Sequence, residues 1–200
     1  MLRLPKSTEL NQPLPKTAIY ARFQMNAAEK AKIDADISRI VIINEVSAAK
    51  LNLVPGKTVQ AFFVLQVQLK RKEFSEKTLI TLSKLIPQNI VLLLEHEGQA
   101  KLEVYHTTLL QTPWCDPSAL ALSLKGLTMD AVWENVVIEI GGIQMQSGNT
   151  LEQQIALDEQ RAKTEKEIAR LEKLARAEKQ PKKKFKLVQR ISNLNKELLK

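Results

Sequence analysis

Hydrophobic positions change period several times along the chain, and those changes predict its elements. Asn26 followed by Glu29 is the pattern of a capping box, and the helix it opens places Ile33, Ile37 and Ile40 along one face. Ile40-Val41-Ile42-Ile43 is β-branched throughout and reads as a buried strand. Ser47 is placed to cap one helical turn through Leu51, and Val54-Pro55-Gly56-Lys57 is a turn. A long strand follows over residues 58–70. Ala61, Phe63, Leu65, Val67 and Leu69 face one side of it, and Gln66, Gln68 and Lys70 the other. Phe62 and Val64 share the polar side, so the first half of that strand is expected to be covered on both faces.

Ser75 is placed to cap a helix through Leu85 that buries Leu79, Leu82 and Ile86 before Pro87. Ile90-Val91-Leu92-Leu93-Leu94 has the unbroken apolar character of a sheet centre, and Glu97-Gly98 turns it back into a strand over 101–105. A further strand is expected over 119–124, after the loop Pro113-Trp114-Cys115-Asp116-Pro117. Thr128 then opens a helix carrying Met129, Val132, Trp133, Val136 and Ile140, closed by Gly141-Gly142. The order, with few crossover helices and a clear β-hairpin, predicts an α+β domain. Its core is a mainly antiparallel sheet of five or six strands covered by helices.

The last fifty residues have a different pattern. Leu157, Thr164 and Leu171 recur every seven residues, with Arg161, Ile168 and Ala175 on the adjoining row. After Lys179-Gln180-Pro181, Leu187, Ile191, Leu194 and Leu198 follow 4, 3, 4 spacing, one stripe of a helix. Neither helix has the apolar surface to fold alone, so the two are expected to pair as an antiparallel, coiled-coil-like hairpin. The predicted organisation is an extended arm over 1–16, held out of a helix by Pro5, Pro13 and Pro15, an α+β domain over 17–143, a linker over 144–150 and the hairpin over 151–200.

Charge sharpens this division. Of a net +8, residues 151–200 carry +6, with 14 Lys or Arg against 8 Asp or Glu, and the rest of the chain is close to neutral. A basic hairpin suits a polyanion or an acidic protein surface. Lys182, Lys183, Lys184, Lys186 and Arg190 are the candidates for phosphate contact. Leu157, Ile168, Leu171, Leu187, Ile191, Leu194 and Leu198 are the candidates for a partner-binding seam, which a second copy of the chain would also satisfy.

Catalytic chemistry finds little support in the residues. A single cysteine, Cys115, excludes an internal disulfide and a cysteine-rich zinc site, and makes a reducing, cytoplasmic setting the expectation. No phosphate-binding glycine loop or dinucleotide fingerprint occurs among six glycines, and no cofactor or metal is expected. His96 and His106 lie at opposite ends of the expected β-hairpin, too far apart to share an ion. One pattern stays open: Glu45 with Gln68-Leu69-Lys70 imitates the acid and Gln-X-Lys of metal-dependent nucleases, in which a carboxylate holds Mg²⁺ and a lysine steadies the attacking water.

Several blocks in order resemble a bacterial family known as domain of unknown function 4391. They are Leu4-Pro5-Lys6-Ser7-Thr8-Glu9 with Asn11 and Leu14-Pro15-Lys16, then Leu51-Asn52-Leu53, Gln68-Leu69-Lys70, Leu85-Ile86-Pro87, Leu124-Lys125-Gly126-Leu127 and Glu178-Lys179-Gln180. The resemblance implies no established activity. Members of that family often lie beside helicases and DNA methyltransferases in restriction or phage-defence loci, which implies an accessory subunit of a DNA-acting complex. Its relatives often carry an acidic residue near the position of Leu65, where this chain is apolar, so no catalytic residue is carried over. The expected function is a non-catalytic adaptor docking on a helicase or methyltransferase through the body and the hairpin. Direct DNA binding by the hairpin and metal-dependent nuclease activity are the alternatives.

Overall fold

Strands with one or both faces apolar must pair to satisfy their backbone groups and stack to leave water, and one sheet does both here. A computed structural model describes residues 2–84 and 87–198. Six strands lie side by side in chain order: β1 (Glu9–Pro13), β2 (Ile37–Ser47), β3 (Ala61–Leu69), β4 (Asn89–His96), β5 (Gln99–Tyr105) and β6 (Leu109–Gln111). The helices among the described residues are α1 (Lys16–Arg22), α2 (Ala27–Asp36), α3 (Ala48–Leu51), α4 (Glu76–Ser83), α5 (Met129–Gly141), α6 (Leu151–Ala177) and α7 (Pro181–Leu198). Every pairing is antiparallel except β3 with β4, and the crossover that a parallel pair requires carries α4. The protein is therefore α+β with a mainly antiparallel sheet, as its pattern predicts. The chain divides into two compact units, residues 1–144 and 145–200.

In the first unit the sheet separates two apolar layers. Ile37 and Ile40 of β2, Leu65, Val67 and Leu69 of β3, and Ile90, Leu92 and Leu94 of β4 pack with Ile19 of α1, Ile33 of α2, and Leu79 and Leu82 of α4. On the opposite face Phe62, Val64, Val91, Leu93, Leu102 and Val104 are buried, and Phe62 meets Trp133 of α5 with ring centroids 5.3 Å apart at 49°. Phe62 and Val64 are thus covered, as the apolar first half of β3 requires. Gln66 and Gln68 continue the same face beyond that layer, one half-buried and one exposed.

Local chemistry explains the boundaries. The Asn26 side chain accepts from the Glu29 amide at 3.0 Å and Glu29 accepts from the Asn26 amide at 2.9 Å, a complete capping box. Thr128 caps α5 by accepting from Ala131 at 3.3 Å, and Gly142 ends it at φ 59°. Between β2 and β3 the loop 55–59 wraps the Asp130 carboxylate, which accepts from the amides of Lys57 (2.6 Å), Thr58 (3.1 Å) and Val59 (2.7 Å) and from the Thr58 hydroxyl (2.8 Å). Gly56 permits that wrap: a Cβ there would lie 2.3 Å from the Val59 carbonyl and 2.5 Å from Asp130 Oδ1.

Some expectations need correction. Ile37 and Ile40 belong to β2 and not to the preceding helix, because Ile37 already has extended backbone and pairs with Leu69. Part of the expected arm is structured. Lys6–Thr8 forms one 3-10 turn and Glu9–Pro13 is an edge strand, a place where a sheet tolerates proline. Residues 119–124 form no strand and make one bridge, Leu2 with Ala121; the sixth strand is Leu109–Gln111. Ser47 and Ser75 stand at N-cap positions without a side-chain cap bond. Ser75 instead gives its amide to buried Asp36, which is also bound by Arg71 and so anchors the turn into α4. The expected end of that helix at Leu85, and the burial of Ile86, lie outside the described residues.

Candidate functional site

The hairpin begins with a capping box of its own, Thr150 with Gln153. Gln154 ties down the preceding residues by accepting from the Gln146 amide (3.2 Å) and from Asn149 (3.0 Å) while donating to Asp158 (3.0 Å). α6 turns through Glu178, Lys179 and Gln180 into α7, and the two pack as a hairpin. On α6 Ile168, Leu171 and Ala175 are buried, whereas Leu157 keeps 39% exposure. On α7 Leu187, Ile191, Leu194 and Leu198 are only half-buried, and no residue of that helix is fully buried. Residues beyond Leu198 lie outside the description.

Three stripes result on α7 at 100° per residue. The first is the 187–191–194–198 seam. The second is basic: Lys182, Lys186 and Arg190 repeat every four residues and so share one face. Lys183 and Lys184 are exposed near the turn, and among the described residues none of Lys182, Lys183, Lys184 and Lys186 has a carboxylate partner. Arg190 approaches Glu167 at 3.9 Å, a carboxylate already gripped by Arg170 at 2.9 and 3.0 Å. Arg170 holds the Glu167 carboxyl below its usual range, with Arg190 adding to the pull. The third stripe is apolar and outside the seam: Phe185 and Val188, three residues apart, are 68% and 50% exposed. The first two stripes are legible in the sequence and the third is not, because Phe185 lies among lysines and breaks the seam's spacing.

The nuclease-like residues are not brought together. Glu45 pairs across from Phe63 and Gln68 across from Arg39. Phe63 and Gln68 are five residues apart, an odd number, so Glu45 and Gln68 lie on opposite faces and about 17 Å apart along the strand. Glu45 is held by Lys50 at 2.9 Å, and Lys70 gives its ammonium to the Asp34 carbonyl at 2.6 Å. His96 pairs with Gln99, seven residues before His106, which separates the two imidazoles by about 23 Å. Cys115 exchanges two backbone bonds of 2.9 Å with Ala100 and is half-buried, a structural position. Among the described residues no group of three or more His, Cys, Asp or Glu is placed to hold a metal ion, and no helix is long and apolar enough to cross a membrane.

Two other polar clusters escape sequence reasoning. Lys16 (2.6 Å) and Tyr20 (2.7 Å) both donate to Asp34 Oδ1. Lys16, then Tyr20, lowers the Asp34 carboxyl, while desolvation and the carboxylate push the Tyr20 phenol up to about 12. On β5 the side chains of Lys101 and Glu103, which alternate with Leu102 and Val104, are buried and ion-paired. The Lys101 ammonium also donates to Gln111 at 2.7 Å and stands over the rings of Phe74 (4.9 Å) and Trp114 (5.2 Å). Both clusters tie elements together within the body, and neither opens onto a described cavity.

The architecture is thus an α+β domain followed by a basic helical hairpin whose apolar surface is incompletely buried. The chain belongs to the family described as a domain of unknown function (DUF4391), whose model matches residues 2–198. Comparison with curated proteins and with solved structures gave no match.

Proposed function

We propose that this protein is a non-catalytic accessory subunit that docks on a larger protein, with the hairpin as its principal contact. The observation that carries the reading is the outward stripe of α7. Phe185 and Val188 leave 68% and 50% of their surface in water beside unpaired lysines, on a helix with no fully buried residue. Exposed apolar side chains grouped within a charged rim are the anatomy of a contact surface. Burying the exposed parts of these two is worth about 2–3 kcal/mol, on the scale of 1.5–3 kcal/mol for a whole side chain. The lysines around them favour an acidic partner surface and oppose self-pairing of the stripe.

A helicase or DNA methyltransferase is the first partner to test, on the genomic association that the family resemblance suggested. The full-length Phe185→Asp, Val188→Asp variant is expected to lose at least tenfold in affinity for that partner while keeping its helical content by circular dichroism. Unchanged affinity sinks the docking role of this stripe. A concentration-dependent dimer that the same variant abolishes would replace the partner with a second copy of the chain.

A second reading, direct DNA contact, is favoured by the 182–186–190 stripe of cations. It expects binding that falls steeply with salt, with a log–log slope of about −0.9 per phosphate neutralised. Lys182→Glu with Lys186→Glu should flatten that slope by about two contacts. Binding that is indifferent to salt removes the reading.

A further inference from the structure

The α+β body carries a groove of about 470 Å³ between its first residues, the end of α3 and residues 121–124. Leu51, Leu53, Leu122 and Leu124 are half of its lining residues, and Arg3 is the one charged group among the described residues that line it. Ser123 also lines it, but its amide and hydroxyl are both engaged by Glu139, at 3.0 and 3.2 Å. Arg3, by contrast, is exposed and has no hydrogen-bond or ion-pair partner among the described residues. Its position is enforced. Leu2 and Arg3 both adopt left-handed backbone, at φ 58° and 51°, a conformation costly for side chains of this size. The turn is held because Leu2 is 1% exposed and its carbonyl accepts from the Leu122 amide at 3.1 Å. Strained backbone kept in place by a buried anchor, with an exposed cation delivered to a groove half-lined by leucines, is a combination found at binding sites.

We propose that this groove takes the C-terminal residue of a partner polypeptide, with an aliphatic side chain among the leucines and the α-carboxylate on Arg3. A guanidinium matches a planar carboxylate with two parallel hydrogen bonds. Leucine walls whose nearest polar side chain is already engaged reject a charged or amide side chain, which would lose its hydration there without return. Residues 121–124 run past the groove with one backbone bridge, Leu2 to Ala121, which suits an extended chain end lying alongside. The groove lies wholly in the first unit, so the proposal stands or falls separately from the docking role of the hairpin.

Calorimetric titration of the full chain with N-acetyl-Gly-Ser-Leu-Leu as free acid and as C-terminal amide tests it, with octanoate as a third ligand. The acid is expected to bind, the amide at least tenfold more weakly, a factor within reach of one charge-assisted pair. Arg3→Gln should bring the acid to the level of the amide and leave the amide unchanged, a pattern that misfolding does not produce. Leu53→Asp should weaken both. Equal binding of acid and amide, no binding of either at millimolar concentration, or a preference that survives Arg3→Gln overturns the proposal. Octanoate binding as tightly as the peptide acid also overturns it, in favour of a fatty acyl ligand.

Discussion

The buried pair on β5 gives the sharpest stability prediction. Lys101 and Glu103 are 6% and 1% exposed, and the Lys101 ammonium is the one group among the described residues that offsets the buried carboxylate. Lys101→Met keeps an unbranched chain against Phe74 and Trp114 but strands the carboxylate, a change that costs about 3–5 kcal/mol when one partner of a buried pair is removed. At about 2–4 °C per kcal/mol for a chain of this size, the midpoint of thermal unfolding should fall by roughly 6–20 °C. Lys101→Met with Glu103→Leu removes both charges and should recover most of that loss, since apolar replacement of a buried pair is commonly neutral or stabilising.

The pH dependence has a definite sign. Burial pushes the Glu103 carboxyl up, against the opposing pull of Lys101. A folded pKa above the unfolded value means that the stabilisation is complete below the unfolded value and is lost as pH rises through the folded one. Urea titrations of the single and double variants across that window should show a steeper loss in Lys101→Met, where the pull of Lys101 is gone, and none from this site in the double variant. A single variant costing under about 1 kcal/mol, or a double variant as unstable as the single, refutes the reasoning.

Other outcomes follow from the same structure. Asp130, held at about 2 by the Val59 amide, the Thr58 hydroxyl and further amides of loop 55–59, contributes stability that is present above its ordinary carboxylate range and lost as pH falls toward 2. Thermal midpoints of wild type and Asp130→Asn should therefore converge as the pH is lowered through that window, and a constant difference contradicts the role. Trp133→Ala, by emptying the site against Phe62, should cost about 3–5 kcal/mol in urea unfolding, and Trp133→Phe much less. Gly56→Ala should destabilise by about 1–3 kcal/mol in the same assay, because its methyl meets the Val59 carbonyl and Asp130. A neutral Gly56→Ala would show that the loop relaxes freely.

The parts of this fold legible in the sequence are those where one physical signal dominates. The Asn26–Glu29 box, the Thr128 cap and Gly142 closure, the central run 90–94 and the Glu97-Gly98 turn each carry their own local chemistry, and each is found where that chemistry puts it. The hairpin was legible from 4, 3, 4 spacing. The strand position of Ile37 is hidden in the sequence: apolar residues at 33, 37 and 40 satisfy a helical period, while its ladder partner Leu69 lies 32 residues away. β6 has only three residues, too few to show any period. The burial of Lys101 and Glu103 is not legible, because alternation with Leu102 and Val104 gives no sign that both faces of β5 are covered.

Function was less legible for the same reason. Gln68 and Lys70 follow a familiar spacing, yet pairing register puts Glu45 on the other face and about 17 Å away. Arg3 carries no motif at all, and only the turn at Leu2 brings it to a groove.

The most direct test of the docking account is quantitative co-purification of a helicase or DNA methyltransferase with the tagged full-length chain, wild type against Phe185→Asp, Val188→Asp. The account predicts stoichiometric recovery of that enzyme with wild type and at least a tenfold loss with the variant. Recovery of the enzyme with neither, or equally with both, contradicts it.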